Sequence, residues 1–203
     1  MLLAIDTSAG TSVAVVDGST VLAEGSTEDT MRHAEVIGEL IDLVLTEAGV
    51  EPAALDEVVA GMGPGPFTGL RVGIVAARAF AFGIGRPVVP VVSHDAIAFE
   101  EWSAGTRGPL LVVTDARRRE VYWSRYELDA DAPLRTGGPG LCVPAAVPHP
   151  EAVRVDATQV SAGALGRVAL LHRSLGRADD VAEPLYLRSP DVTMPGARKR
   201  VSQ

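Results

Sequence analysis

The sequence predicts an α/β fold with two lobes, and three features of the pattern lead to that prediction. Apolar and polar residues alternate around tight turns at the start of the chain, which is typical of an antiparallel meander. Helical and strand-like segments then alternate, and beyond Pro87 the arrangement recurs in a shorter form. Because the chain opens with a meander, we expect mixed sheets rather than a doubly wound parallel sheet.

Each element of the first lobe has its own signal. Asp17 and Gly18 mark a hairpin turn between strands, and Gly49 ends a segment with apolar residues at helical spacing. Thr68 is the candidate N-cap of a second helix. The predicted strands are 2–6, 12–16, 21–24 and 57–61, and the predicted helices are 33–48 and 69–84.

Beyond Pro87 the pattern recurs with fewer and shorter segments. Strands are predicted at 88–92, 110–114 and 120–128, and helices at 95–102 and 159–174. The segment 133–150 is rich in Pro and Gly without periodicity, so we expect an extended connection there. The expected division is 1–108 for the first lobe, 109–190 for the reduced second lobe and 191–203 for a flexible tail.

Composition and charge restrict the function classes. With 47% hydrophobic residues among 203, the chain has enough apolar material for a packed core, which excludes a disordered protein. The net charge of −8 argues against direct RNA binding by this chain alone. Two basic clusters, 117–119 and 198–200, are interpreted as a solvated loop and a tail. Phosphate contact inside a larger assembly is the alternative.

Several kinds of site are excluded by residues that the sequence lacks. No basic region or long apolar run follows Met1, so we expect no signal peptide, no membrane association and a cytoplasmic protein. The single cysteine, Cys142, is interpreted as an inert thiol. The only lysine is Lys199, which rules out a P-loop lysine or Schiff base in the folded body. The four histidines show no metal-ligand spacing.

The glycine-rich loop from Gly61 to Gly69 suggests a phosphate-binding interpretation. Gly-rich turns that enter a helix present free backbone N–H groups to an anion, yet this loop matches neither the Walker nor the dinucleotide pattern. A purely structural turn is the alternative. The candidate residues of this phosphate-loop remnant, including the turn after the first strand, are Asp6, Thr7, Ser8, Gly63, Gly65 and Thr68.

No catalytic constellation is visible in the sequence. The chain has no Gly-x-Ser-x-Gly elbow, and no nucleophile with its base and acid can be assembled. The charged stretch from Asp115 to Tyr122 is interpreted as a hairpin tip, with a functional site as the alternative.

The two helices of the first lobe are more apolar than one sheet can cover. In the first helix Val36 and Leu43 widen the apolar face and leave only a narrow polar stripe. In the second, small residues recur at every fourth position and predict a ridge that another helix can approach closely. The ridge residues are Gly69, Gly73, Ala77 and Ala81. These helices therefore predict a surface for a helical partner.

Several segments together resemble the TsaB family over nearly the whole chain. These are LLAIDTSAGTSVAVVDG, RHAEVIGELI, GMGPGPFTGLRVGIVAARAFAFG, TDARRREVYWSRYEL and EPLYLRSPD. The resemblance implies a two-lobed fold of the actin, Hsp70 and sugar-kinase type (RNase H-like), with a reduced second lobe. It also implies work in tRNA threonylcarbamoyladenosine (t6A) synthesis as an accessory subunit and not as an enzyme.

The family resemblance implies specific partners. ATP and the catalytic metal belong to the paralogue TsaD, and this chain itself holds no cofactor. A TsaE-type ATPase joins the full complex, tRNA is reached only through the complex, and the chain alone forms a homodimer. The expected interface with TsaD comprises Ile37, Leu40, Ile41, Val44, Val72, Val75, Ala76 and Ala79. A phosphotransferase or ATPase of the same fold is the alternative function.

Overall fold

Two mixed β-sheets with helices packed between and beside them form the part of the chain that the computed structural model describes, residues 1–27, 33–129, 131–177 and 181–188. The first sheet has the order β3-β2-β1-β4-β5 and the second the order β8-β7-β6-β9. The strands are β1 (Leu2–Asp6), β2 (Thr11–Asp17), β3 (Thr20–Thr27), β4 (Glu57–Gly61), β5 (Val88–Val91), β6 (Gly108–Asp115), β7 (Val121–Leu128), β8 (Pro133–Cys142) and β9 (Val153–Ala157). The helices are α1 (His33–Ala48), α2 (Phe67–Ile84), α3 (Ser93–Ser103) and α4 (Ala162–Ser174).

Strand β1 is buried on both faces at the centre of the first sheet. It pairs antiparallel with β2 and parallel with β4. Since side chains alternate along a strand, Leu3 and Ile5 face the core under α1 and α2, while Leu2 and Ala4 face the core with α3 and α4. The uninterrupted apolar sequence of this strand follows from its double burial.

Helix α4 comes late in the sequence but packs on the first sheet. It contacts β1 and β2 as well as α3, and α3 in turn contacts the second sheet. Gly166 lies so close to the first sheet that a Cβ there would meet Leu2 Cδ1 at 2.7 Å. One core therefore joins α4 to the opening strands, and the predicted division of the chain at residue 108 stays a prediction.

Two predictions about the second sheet were wrong. The segment expected as an irregular connection contains β8, and β9 was not predicted. Among the described strands, β8 lies at the sheet edge and pairs with β7 alone, with register shifts opposite Arg125. An edge strand tolerates Pro and Gly because one side of its backbone needs no partner, so its composition hides it.

The predicted start of α2 was also wrong. Pro66 is the N-cap, no side chain caps the helix, and Thr68 lies exposed in the first turn. Proline suits this place because the extended N-cap conformation has the φ that the proline ring fixes, −60° here. The tail after Arg188, predicted to be mobile, lies outside the described residues.

A buried histidine fixes α3 to the second sheet. The ring nitrogens of His94 lie 2.8 Å from Ser124 Oγ and 2.9 Å from Thr114 Oγ1. Burial lowers the pKa of His94 to about 3, so the ring is neutral and one nitrogen donates while the other accepts. This histidine is a structural link rather than a ligand.

The stability of the fold is expected to fall as the pH is lowered from about 6.5 towards 3. In this window the unfolded chain protonates residue 94, whereas the folded chain, with its His94 pKa lowered to about 3, does not. The contribution of this residue to the free energy of unfolding should change by up to about 1.4 kcal/mol per pH unit. Urea unfolding of the wild type and of His94→Gln at several pH values measures it. Parallel pH profiles would contradict the prediction.

Candidate functional site

The turn after β1 and the loop before α2 pack directly on each other. The backbone N–H and hydroxyl of Ser8 donate to Asp6 Oδ1 at 2.7 and 2.6 Å, and the Ser93 hydroxyl donates to Asp6 Oδ2 at 2.5 Å. The N–H of Gly63 donates to Ser93 Oγ at 2.9 Å. Burial raises the pKa of Asp6 although these hydrogen bonds oppose the shift. The carboxyl group of Asp6 is thus held by groups within the chain.

The glycines of this region are required by that packing. A Cβ on Gly61 would lie 1.9 Å from Asp6 Oδ2, and one on Gly65 would lie 2.8 Å from Ser8 Cα. Gly63 has a φ of 90°, a conformation that residues with a side chain rarely adopt. The glycine-rich sequence is therefore explained by contacts within the chain.

The side chain of Thr7 is inserted into the first turns of α2. Its hydroxyl donates to the carbonyl of Gly69 at 2.8 Å and accepts from the N–H of Gly73 at 3.1 Å, two groups that pair with each other in a regular helix. A Cβ on Gly73 would lie 2.2 Å from Thr7 Oγ1. These contacts fix both the position and the rotation of α2.

The small-residue ridge of α2 was assigned to the wrong partner. All four of its residues are buried and lie on the face of α2 that packs on β1 and β4, so the ridge serves this chain's own sheet and not a partner helix. By length and composition alone α2 would be long and apolar enough to span a membrane. Its buried face instead packs as that of a core helix does.

A cleft of about 540 Å³ lies above the turn that follows β1, and we call it the interlobe cleft. Its walls include Ser8, Thr68 and Gly69 on one side and Asp115 and Arg117 on the other. The N-terminus of α2 and the Arg117 guanidinium give it two positive groups, while the Asp115 carboxylate lies 3.9 Å from that guanidinium. The cleft has the size and the donors to accept an anionic ligand.

Only two of the six phosphate-loop candidates line the cleft. Ser8 and Thr68 do so, whereas the others are buried beneath it in the contacts described above. These four are Asp6, Thr7, Gly63 and Gly65. The turn and the loop are therefore brought together as the sequence predicted, but most of their polar groups face each other.

The arginine cluster 117–119 forms the tip of the β6–β7 hairpin, as predicted. All three residues have φ between 53° and 64°, a left-handed backbone that is costly for residues with a side chain. The Arg117 N–H donates to Asp115 Oδ1 at 3.0 Å, and Arg188 pairs with Glu120 next to the tip. The second basic cluster, Arg198, Lys199 and Arg200, lies outside the described residues.

Within 1–27, 33–129, 131–177 and 181–188, no three His, Cys, Asp or Glu side chains come together in a way that could hold a metal ion.

Two residues of the predicted partner interface, Ile37 and Val44, lie in the hydrophobic core. Ile37 is 7% exposed and Val44 is 0% exposed, because they lie on the face of α1 that packs on the first sheet. Neither residue can contribute surface to a partner, so their assignment to the interface was wrong. A wide apolar arc on one helix contains both a core face and an outer face, and spacing alone does not separate them.

The other predicted interface residues have exposed or half-buried side chains on two adjoining helices. Val75 is 59% exposed, and Phe82 on the same helix is 89% exposed although the sequence prediction omitted it. Val75, Ala79 and Phe82 follow the i, i+4, i+7 spacing of one helix face, which was the available signal. We call this set the α1–α2 surface: Leu40, Ile41, Val72, Val75, Ala76, Ala79 and Phe82.

A family model and two relatives match this chain by sequence. Residues 21–169 match the family model "TsaD: tRNA N6-adenosine threonylcarbamoyltransferase". An uncharacterized Mycobacterium tuberculosis protein is 41% identical over 182 residues, covering 85% of this chain and 82% of that protein. The Escherichia coli "tRNA threonylcarbamoyladenosine biosynthesis protein TsaB" is 33% identical over 129 residues, covering 63% of this chain and 55% of that protein.

A solved structure matches nearly the whole chain. "YeaZ from Pseudomonas aeruginosa" aligns with a TM-score of 0.76 and 28% identity, covering 92% of this chain and 99% of that one. The expected actin and sugar-kinase type of α/β fold is thereby confirmed.

Gly73→Ala is expected to destabilise the fold by about 2 to 3 kcal/mol, because the new methyl group overlaps the Thr7 hydroxyl. Gly38→Ala, in α1 with no atom within 4 Å of its Cβ, should instead stabilise by about 0.5 to 1 kcal/mol. Urea unfolding measures both changes.

The double variant Thr7→Ala with Gly73→Ala tests the cause of that loss. Removing the hydroxyl should relieve the overlap, so the double variant should lose less stability than the sum of the two single variants. Strictly additive losses would show that the Thr7 contact is not the reason for the glycine.

Proposed function

The chain belongs to the TsaB/YeaZ family within the wider group of TsaD-like proteins, and we propose that it acts in t6A biosynthesis as the non-catalytic partner of a TsaD paralogue. The TsaD paralogue would carry ATP and the catalytic metal, and a TsaE-type ATPase would join the complex. tRNA would be reached through that assembly in the cytoplasm.

The observation that carries this proposal is the α1–α2 surface. Phe82 and Val75 expose most of their apolar side chains, and Val72, Ala76 and Ala79 are exposed or half-buried on the same helix. A group of exposed apolar residues on two adjoining helices is typical of a protein interface. A partner that covers this surface would gain a favourable free energy of about 25 cal/mol for each Å² of apolar area removed from water.

The burial and hydrogen bonding of Asp6, in the turn after β1, support the proposal that this chain is non-catalytic. An acid or base that acts on a substrate must present its polar atoms to that substrate. Both carboxyl oxygens of Asp6 accept hydrogen bonds from Ser8 and Ser93, and the residue is 1% exposed. Its role is therefore to hold the turn, and the chain's contribution to the reaction would be to position the paralogue's catalytic lobe.

When the paralogue is absent, the same surface would favour a homodimer. Exposed apolar helices lower their free energy by pairing with any matching surface, and a two-fold dimer presents the same surface twice. The TsaD complex and the homodimer would then be mutually exclusive, since both would use Val75 and Phe82.

A nucleotide-binding phosphotransferase is the second candidate function, and the interlobe cleft is the observation that favours it. The α2 N-terminus and Arg117 provide donors for phosphate oxygens there. Against it, Asp115 stands beside Arg117 and would repel a polyphosphate.

Val75→Glu and Phe82→Glu should each abolish pairing with the TsaD paralogue, because a buried unpaired carboxylate costs several kcal/mol. The exposure of both positions predicts that the variants remain folded. Val153→Glu is the matched control, since Val153 is a similarly exposed valine on the edge strand β9. Light scattering on size-exclusion fractions, with the chain alone and mixed with the paralogue, measures the pairing.

A one-to-one complex that replaces a homodimer, lost in both α2 variants and kept in the control, is the expected result. If the α2 variants pair as the wild type does, the interface is misplaced. A wild-type chain that ignores the paralogue would overturn the partner function itself.

Nucleotide titration separates the two candidate functions. We expect the isolated chain to show no saturable binding of ATP with a dissociation constant below about 1 mM, equivalent to about −4.1 kcal/mol. Tight binding that Arg117→Gln weakens would instead favour the phosphotransferase. Isothermal titration calorimetry with and without Mg²⁺ provides the measurement.

A further inference from the structure

A second cavity, remote from the interlobe cleft, lies between α3, α4 and β8. Its volume is about 360 Å³, and it shares no lining residue with the interlobe cleft. We call it the α3–α4 pocket. A cavity of this size with a few converging polar groups is the usual form of a small-molecule site.

The floor of the α3–α4 pocket is a buried polar network. The Tyr126 hydroxyl donates to Asp95 Oδ1 at 2.6 Å, and Arg135 Nε donates to the same oxygen at 3.2 Å. Tyr126 is fully buried, and burial together with the Asp95 charge raises its pKa well above the ordinary value. Tyr126 therefore remains a hydrogen-bond donor, and the Asp95 charge is balanced by the Arg135 guanidinium.

A β-bulge in β8 shapes the side of the α3–α4 pocket that carries Arg135. Tyr126 pairs with Arg135, while the preceding residue Arg125 pairs with Gly137, so Thr136 is an extra residue in β8. Such a bulge bends the strand and redirects nearby side chains, and bulges are frequent beside binding sites. Here it accompanies the contact between the Arg135 side chain and Asp95.

Arg177 adds a positive charge to the described lining of the α3–α4 pocket. Arg177 lines it and donates to the Pro133 carbonyl at 3.0 Å, and no carboxylate of the described residues pairs with it. Among the described lining residues, the Arg177 guanidinium is therefore a cation that a ligand's anionic group could approach.

Apolar side chains form the rest of the walls. Phe99 and Val168 are buried, Leu171 is half-buried, and Leu134 stands at the rim with 48% of its surface exposed. These groups would cover a hydrocarbon chain but would leave a larger charged body unsatisfied.

We propose that the α3–α4 pocket binds a small carboxylic acid with a short hydrocarbon body. The planar guanidinium of Arg177 matches a carboxylate, which it contacts through two parallel hydrogen bonds. The hydrocarbon part lies against Phe99, Val168 and Leu171. Binding here is independent of the α1–α2 surface and of the interlobe cleft.

Hexanoate is the probe for the first test, titrated into the full-length chain and followed by two-dimensional NMR. Shifts should concentrate on residues of α3, α4 and β8. Affinity should rise from acetate through butyrate to hexanoate by roughly fourfold for each added methylene until the pocket is filled. Hexanamide, hexylammonium and inorganic phosphate should each bind at least tenfold more weakly than hexanoate.

A charge exchange provides the second test. Arg177→Gln should weaken hexanoate about tenfold, and Arg177→Glu should abolish hexanoate binding and admit hexylammonium. Arg86→Gln is the control, because Arg86 is also an exposed arginine, lies just after α2 and does not line this pocket.

The proposal is overturned if hexanoate shifts no residue of the pocket, if hexanamide binds as well as hexanoate, or if phosphate binds as well as hexanoate. It is also overturned if Arg177→Gln and Arg86→Gln behave alike. The ligand series uses the wild-type chain, so it decides the matter even where a variant fails to fold.

Discussion

The double burial of β1 is the constraint on which the rest of the structure depends. A strand covered on both faces needs a helix layer on each side, and α1 with α2 supplies one while α4 with α3 supplies the other. The end of this strand then lies inside the protein, where its turn must find hydrogen-bond partners. Ser8, Ser93 and the backbone of α2 provide them.

This internal turn also decides what the outside of the protein presents. Thr7 fixes the rotation of α2 through Gly69 and Gly73, so residues on the opposite side of that helix must face outward. Val75 and Phe82 are therefore exposed as a consequence of contacts in the core. The proposed partner role depends on this outward apolar face of α2, which the contacts of Thr7 on the opposite side of the helix help to fix.

Sequence periodicity was sufficient for the meander, for α1, and for α2 apart from its first turn. It failed where the same pattern serves two purposes: the apolar arc of α1 contains both the core residue Val44 and outward residues, and the small ridge of α2 fits a sheet as well as a helix. Strand β8 was hidden because an edge strand tolerates Pro and Gly. The contact of Asp95 with Arg135 joins segments 40 residues apart and has no local signal.

The position of α4 has a consequence for how the chain is made. The face of the first sheet that carries Leu2 and Val16 is covered by α4 near Gly166, so it cannot be closed until most of the chain has been synthesised. At typical rates of protein synthesis, roughly 10 to 30 s separate the appearance of the opening strands from that of α4. During this time the apolar face of the sheet is exposed outside the ribosomal exit tunnel. This exposure makes the nascent first half a natural client for a ribosome-associated chaperone.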